Sequence, residues 1–338
     1  MGKYQSIQVL RAVAALMVLV FHTKTGFPHD VRDQLWHWPV LSDQGTVGVY
    51  LFFVISGFIL GNVLDRPTFS LGDYLKRRAL RIVPLYWIVM LTALALVFAH
   101  GAYIDDLHRM GASGMVKSFL VLPQKDYPFW PPGWSLEHEV IFYLIAAAVA
   151  PMLGLRALAV ALLILYCVGV AVHFEWDYHI FSYVQLFFAT GVIAYLCRHA
   201  SLRLSVPVTA VSLFIAYAQF YKLFPQMPVS IGLIAFAIGF AALIVALLGI
   251  ESAGLVMPRP LVSLGDASYS LYLWHWLVIP TCGFLWKKSG VGSPESWRWI
   301  MVVTSISVAL ASYRFIEKPI IEYSKRSAAP SKRKLEAA

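Results

Sequence analysis

The chain has 338 residues, 59% of them hydrophobic and only 13% charged, with a mean hydropathy of +0.69. A soluble domain carries about a quarter charged residues, and here the charge sits in short segments between long apolar runs, which excludes a soluble protein and a soluble protein with one anchor. The net charge of +9 does not point to nucleic acid. Lys76, Arg77, Arg78 and Arg81 form one cluster and Lys325, Arg326, Lys332, Arg333 and Lys334 another, and both flank apolar runs, where orientation signals and anionic lipid headgroups would put them.

Ten apolar segments read as spans, at roughly 7–23, 46–64, 82–100, 134–152, 157–173, 179–197, 206–224, 229–249, 263–285 and 297–316. The pattern predicts an all-α, polytopic membrane helix bundle of about ten transmembrane helices. Segment 114–122 is apolar but far too short for a core about 30 Å thick and is expected at an interface. An even count puts both termini on one side. The Lys and Arg bias makes that side cytoplasmic: 18 of the 27 basic residues then lie inside, while the outer segments also hold Asp30, Asp33, Asp43, Asp105, Asp106, Asp126, Glu175, Asp177 and Glu295.

The outer pieces 24–45 and 101–133 are the longest, and both are rich in Trp, His, Pro and Asp. The first run has no small-x-small site after it and further spans follow, so a cleaved signal peptide is not expected. Residues 1–324 are expected as one membrane-embedded domain and 325–338 as a basic, disordered cytoplasmic tail. No internal repeat is visible. Asn62 is followed by Val63 and Leu64, so it is no glycosylation sequon. Cys167, Cys197 and Cys282 share no metal or redox spacing and read as packing residues.

In "IQVLRAVAALMVLVFHT", Arg11 and His22 lie eleven positions apart. Residues 11, 15, 18 and 22 therefore form one stripe about 16 Å long, with the small Ala15 and Val18 between the polar ends. The bland account is that Arg11 snorkels to the headgroups and His22 marks the outer border. The shared stripe, and the rarity of charge within a span, favour function for the pair. In "GTVGVYLFFVISGFIL", Gly45, Gly48 and Gly57 permit close helix approach. In "RRALRIVPLYW", Arg78 and Arg81 are one turn apart, with Pro84 and Tyr86 beyond. Positive-inside anchoring accounts for the cluster, but paired guanidiniums at an inner mouth also suit a phosphate ligand.

"WSLEHEVIFY" puts Ser135, Glu139, Phe142 and Tyr143 on one face, with Glu137 and His138 pointing elsewhere or in the preceding loop. A carboxylate inside a span needs a partner. A histidine at the same outer level would gain basicity and a fixed tautomer from it, as a general base acting on a hydroxyl requires. The alternative is a Glu bonded to backbone or arginine for packing. In "DASYSLYLWHW", Ser268, Tyr272 and His275 fall on one face, a polar seam that reads as packing or as pocket lining. In "RFIEKP", Pro319 marks a helix end and Glu317 can pair with a neighbouring base.

In this order the segments resemble the acyltransferase-3 family of integral-membrane O-acyltransferases. The family's arginine–ten residues–histidine pattern matches Arg11 and His22, and its "FFVISGF" matches residues 52–58. Its R-x-x-R-I-x-P-x-Y matches Arg78, Arg81, Pro84 and Tyr86. Its W-S-L-x-x-E-x-x-F-Y matches Trp134, Ser135, Glu139, Phe142 and Tyr143. Its S-Y-S-L-Y-x-x-H matches Ser268 through His275, and its E-[KR]-P matches Glu317 to Pro319. The opening is most similar to exopolysaccharide acetyltransferases that decorate succinoglycan-like polymers. The chain departs from the pattern at Val140, where many members have a second Glu. It also stops about twenty residues past Pro319, where many carry a soluble domain, so any such partner is expected to be a separate polysaccharide-assembly protein.

The resemblance implies a bacterial inner-membrane enzyme that moves an acetyl or other acyl group from cytoplasmic acyl-CoA, without a metal, to a hydroxyl of a lipid-linked or extracytoplasmic glycan. Its partners would be membrane lipids, acyl-CoA and the glycan acceptor. Arg78 and Arg81, with Arg77, would hold the CoA phosphates, and the pantetheine arm would run along the Arg11 stripe. His22, oriented by Glu139, would deprotonate the acceptor or carry the acyl group itself. Ser135, Tyr143, Ser268, Tyr272 and His275 would line the substrate pocket, with His275 the second choice as base. Two alternatives stand beside this reading: the same chemistry on a macrolide, lipid-A or peptidoglycan acceptor, and a transporter or flippase, whose cavities are also lined by polar residues.

Overall fold

A computed structural model describes residues 4–35, 45–66, 70–100, 104–172, 174 and 176–327. Residues 36–44 of the first outer piece, with Asp43, lie outside the described residues, as do Glu175 and the tail from 328 on, with Lys332, Arg333 and Lys334. Every regular element among the described residues is helical. In chain order these are α1 (Gln5–Thr23, running into a 3-10 turn at Lys24–Gly26), α2 (His29–Arg32), α3 (Val47–Leu64), α4 (Leu71–His100), α5 (Ile104–Leu120), α6 (Gly133–Ala171) and α7 (Val184–Leu196). There follow α8 (Leu202–Phe220), α9 (Val229–Ser252), α10 (Arg259–Asp266), α11 (Ser268–Ser289), α12 (Pro294–Ser312), a π-helical turn at Tyr313–Glu317 and α13 (Lys318–Ser327).

Among the described residues, seven helical stretches are long and apolar enough to cross a membrane: Gln5–Gly26, Val47–Leu64, Leu71–Leu96, Gly133–Ala171, Leu202–Phe220, Val229–Ser252 and Pro294–Tyr323. The chain is a polytopic helical membrane protein. The expected spans at 134–152 and 157–173 both lie in α6, whose helical geometry breaks at Gly154 (φ 82), three residues after Pro151. The sixth span, expected from 179, begins only at Val184 and is 13 residues long, about 20 Å of helix. Asp177 takes the backbone N–H of His179 and Phe181 into a turn instead. The ninth is interrupted at Ala267, between α10 and α11, and the Ser-, Tyr-, His- and Trp-rich α11 is not among the seven.

The basic cluster from Lys76 to Arg81, expected in a loop, is helical, because α4 starts at Leu71 and carries Pro84 in its interior. Segment 114–122 is mostly the end of α5, which breaks at Gly111 (φ 61). The last helix continues to Ser327, and of the cysteines only Cys282 is buried, Cys167 on α6 and Cys197 just past the end of α7 being exposed rather than packed inside.

The chain packs as two compact units. The first takes Met1–Leu16, Thr46–Pro67 and His138–Gly265. Its helices α3 and α7 interlock through glycines: a Cβ on Gly57 would strike the carbonyl of Phe188, and one on Gly191 the carbonyl of Val54. Small residues allow such backbone approach where lipid tails remove the hydrophobic drive between helices. Phe142 of α6 stacks on Phe188 at 4.0 Å. Near the end of α9, Glu251 accepts from the N–H of Gln5 (2.8 Å) and Ser6 (3.0 Å) and from the Ser6 hydroxyl. A carboxylate thus caps α1, where unpaired donors and the helix dipole favour negative charge.

The second unit takes Met17–Gly45, Thr68–Glu137 and Asp266–Ala338. A Cβ on Gly283 of α11 would strike the carbonyl of Gly26, just past α1. The Tyr269 hydroxyl donates to the Ile82 carbonyl of α4 (2.7 Å), and the Trp130 indole donates to the Leu273 carbonyl (3.3 Å). Glu317, buried in the π-helical turn, accepts from the Ser270 hydroxyl at 2.7 Å.

Candidate active site

Helix α1 carries Arg11, Ala15, Val18 and His22 on one stripe, with the first three buried and His22 half-buried. Nδ1 of His22 lies 2.8 Å from the Val18 carbonyl, one turn back. A carbonyl only accepts, so Nδ1 carries the hydrogen and Nε2 presents a lone pair. Sequence reasoning assigned this tautomer to Glu139; the helix's own backbone fixes it. The His22 ring lies 5.1 Å from that of His275 and 4.9 Å from that of Trp276. His275 repeats the arrangement, with Nδ1 3.1 Å from the Leu271 carbonyl and Nε2 buried without a hydrogen-bond partner. Packing alone does not account for this. A buried acceptor with no donor costs about 1–3 kcal/mol, and two accepting imidazoles side by side suit a ligand that brings donors.

The C-terminal end of α1 is fixed from α12. Arg298, 1% exposed, donates through Nε to the Thr23 hydroxyl (3.2 Å) and through Nη1 to both oxygens of Glu295 (3.3 and 3.1 Å). Sequence reasoning counted Arg298 only as an outer charge. An arginine at the start of an apolar span was the available signal.

Ser268, Tyr272 and His275 are all buried on α11. The Ser135 hydroxyl donates to the Pro132 carbonyl (3.1 Å), so the Tyr272 hydroxyl, 2.8 Å from Ser135 Oγ, is the donor in that pair. Ser268 Oγ and the Tyr86 hydroxyl are buried without a hydrogen-bond partner. Glu137, expected off the functional face, is an anchor: its carboxylate holds the backbone N–H and the amide of Gln124, each at 3.2 Å.

In the first unit, Glu139 accepts from the Ser56 hydroxyl (2.8 Å) and from the Tyr143 hydroxyl one turn on, the second being the neighbour its spacing predicts. Ser56 was missed, although a lone hydroxyl inside "FFVISGF" is a visible signal. Arg11 is buried, at 8% exposure. On α4, Arg78 and Arg81 are half-buried and Arg77 is exposed, and the Arg78 guanidinium lies 5.5 Å from the centre of the Tyr74 ring. Three guanidiniums within two helical turns fit a phosphate-bearing donor chemically. No group of three metal-ligating side chains occurs among the described residues.

The model of the acyltransferase domain of the acyltransferase-3 family matches residues 4–315. The chain belongs to this family. It is an O-acyltransferase, which removes the transporter alternative. Among its relatives, the exopolysaccharide production protein ExoZ of Rhizobium meliloti (strain 1021) is 28% identical over 82% of this chain and 90% of its own length. The putative membrane-bound transacylase BcsY of Komagataeibacter xylinus is 27% identical over 96% and 85%. The peptidoglycan O-acetyltransferase OatA of Listeria monocytogenes is 25% identical over 93% of this chain but 55% of its own length. No solved structure matches the chain.

Proposed function

We propose that this acyltransferase moves an acetyl group from cytoplasmic acetyl-CoA to a hydroxyl of an extracytoplasmic or lipid-linked glycan, an exopolysaccharide, in the bacterial inner membrane. The observation that carries the reading is the His22 imidazole, its Nδ1 occupied by Val18 and its Nε2 lone pair beside His275 and Trp276. His22 Nε2 takes the proton of the acceptor hydroxyl as that oxygen bonds to the thioester carbonyl carbon. The carbon–sulfur bond then breaks, and the imidazolium returns the proton to the thiolate. A route through an acyl-imidazole uses the same lone pair.

Glu139 is assigned to the same step on its motif, as the carboxylate that offsets the charge developing on His22. Arg78 and Arg81, with Arg77, hold the CoA phosphates, and Arg11 serves the donor. Ser135, Tyr143, Ser268, Tyr272 and His275 line the acceptor side. The exopolysaccharide is favoured by the similarity to ExoZ, an exopolysaccharide production protein, and peptidoglycan is the second reading, favoured by OatA. Residues 1–324 form the catalytic membrane domain and 325–338 a cytoplasmic tail, with ten crossings and both termini inside.

Mass spectrometry of surface glycans from deletion cells complemented with wild-type or His22→Ala protein tests the reading. O-acetyl groups should return to exopolysaccharide only with the wild type; their return on peptidoglycan alone would replace the acceptor. In intact cells, single cysteines in 24–45 and 286–296 should label from outside. Label on the tail would overturn the ten-crossing arrangement.

A further inference from the structure

Between α6 and α7 the chain makes a turn that joining two helices does not require. Tyr178 and His179 both take left-handed backbone, with φ 53 and 64, which bulky residues rarely adopt and which persists only where neighbours enforce it. Here they do. Asp177 accepts from the N–H of His179 (3.0 Å) and of Phe181 (2.9 Å). The buried amide of Gln185 donates to the carbonyls of His179 (3.2 Å) and Ile180 (3.1 Å). A Cβ on Gly169 of α6 would strike the carbonyl of Phe181.

The enforced turn presents a set of rings. Tyr178 is 59% exposed, and half-buried Trp176 lies beside it, ring centres 5.2 Å apart at 51°. Trp176 meets His179 edge-on at 5.1 Å, and His179 stacks on His138 at 4.0 Å and 20°. His138 Nε2 lies 3.2 Å from the Ser182 hydroxyl. The residue after His138 is Glu139, so the ring cluster ends one position from the carboxylate assigned to the chemistry.

Anchoring at a membrane border explains a Trp and a Tyr, but a relaxed loop would anchor equally well. Rigid rings with hydrogen-bonding groups at their edges suit a ligand that offers an apolar face and a polar rim, because little ordering remains to be done on binding. A sugar ring has that make-up, with C–H groups on its faces and hydroxyls around its edge. We infer that the 176–183 turn is the acceptor-recognition surface, with Trp176 and Tyr178 stacking on a pyranose ring of the glycan and the His138, His179 and Ser182 group meeting its hydroxyls. The inference rests on the glycan reading of the proposed function.

The test uses the purified full chain, acetyl-CoA labelled in the acetyl group, and base-deacetylated exopolysaccharide from a strain lacking this protein. Tyr178→Asn removes one ring and keeps a residue that tolerates left-handed backbone; Trp176→Ala removes the other. Each should raise the KM for the polymer about 3- to 10-fold, with the KM for acetyl-CoA unchanged. Trp176→Phe, which keeps an aromatic face, should recover most of the loss. With an active wild type, an unchanged polymer KM in both variants, or equal rises in both KM values, overturns the surface alone. No transfer by the wild type to this polymer overturns the exopolysaccharide reading and the inference with it.

Discussion

His22 and His275 face each other at 5.1 Å and 40°, each with Nδ1 tied to its own helix, and His275 keeps a buried Nε2 with no hydrogen-bond partner. His138 and His179 stack at 4.0 Å and 20°, with His138 Nε2 on a serine hydroxyl and His179 braced within a strained turn. The first pair, in the second unit, offers lone pairs to something that must bring a proton. The second pair, in the first unit, stacks one ring on the other and sets His138 Nε2 beside the Ser182 hydroxyl, within the turn proposed to meet the glycan. A histidine's residue type does not distinguish a base from a brace; which ring nitrogen the surroundings already occupy does.

The largest effect should fall on the first pair. His22→Ala should reduce acetyl transfer by about 10²- to 10⁴-fold, with expression and acetyl-CoA binding retained, while His138→Ala should alter turnover only a few-fold. Equal losses in a transfer assay would erase the contrast. Glu139→Gln should lower turnover about 10-fold or more, and adding it to His22→Ala should cause little further loss, since groups acting as one unit are non-additive. An additive double mutant would separate the carboxylate from the histidine.

His275→Leu sharpens the comparison from the side of stability. It deletes a buried acceptor with no donor, a group that costs about 1–3 kcal/mol. The melting temperature should therefore hold or rise while activity drops about 10-fold; unchanged activity would make His275 packing. The smallest effect lies away from both pairs. Arg78→Ala and Arg81→Ala should each weaken acetyl-CoA binding about 5- to 10-fold, the wild-type affinity should fall with salt, and exposed Arg77→Ala should change less. Wild-type affinity in the double mutant would leave the cluster an orientation signal.

Much of this was legible in the sequence, because lipid imposes a simple rule on apolar length and a helix imposes one on spacing. The stripe from Arg11 to His22, the Glu139–Tyr143 neighbour pair and the buried seam on α11 all follow from positions one to three turns apart. What the sequence hid depends on contacts between distant segments or on backbone geometry. Ser56 reaches Glu139 from another helix, 83 residues away. The left-handed pair at Tyr178 and His179 turned the start of an expected span into a turn, and no apolar count detects that. The tautomer of His22 was assigned to a side chain when a backbone carbonyl one turn back supplies it.

The bond from Arg298 to Thr23 joins residues 275 positions apart. At about 5–20 residues per second of synthesis, the first helix exists for tens of seconds before the arginine that steadies its C-terminal end is made. The helix can insert alone, since insertion of each span precedes their association. The setting of His22 is therefore among the last things the growing chain completes, and a nascent protein cut short before α12 would sit in the membrane without the arginine that holds the end of α1 beside the proposed base.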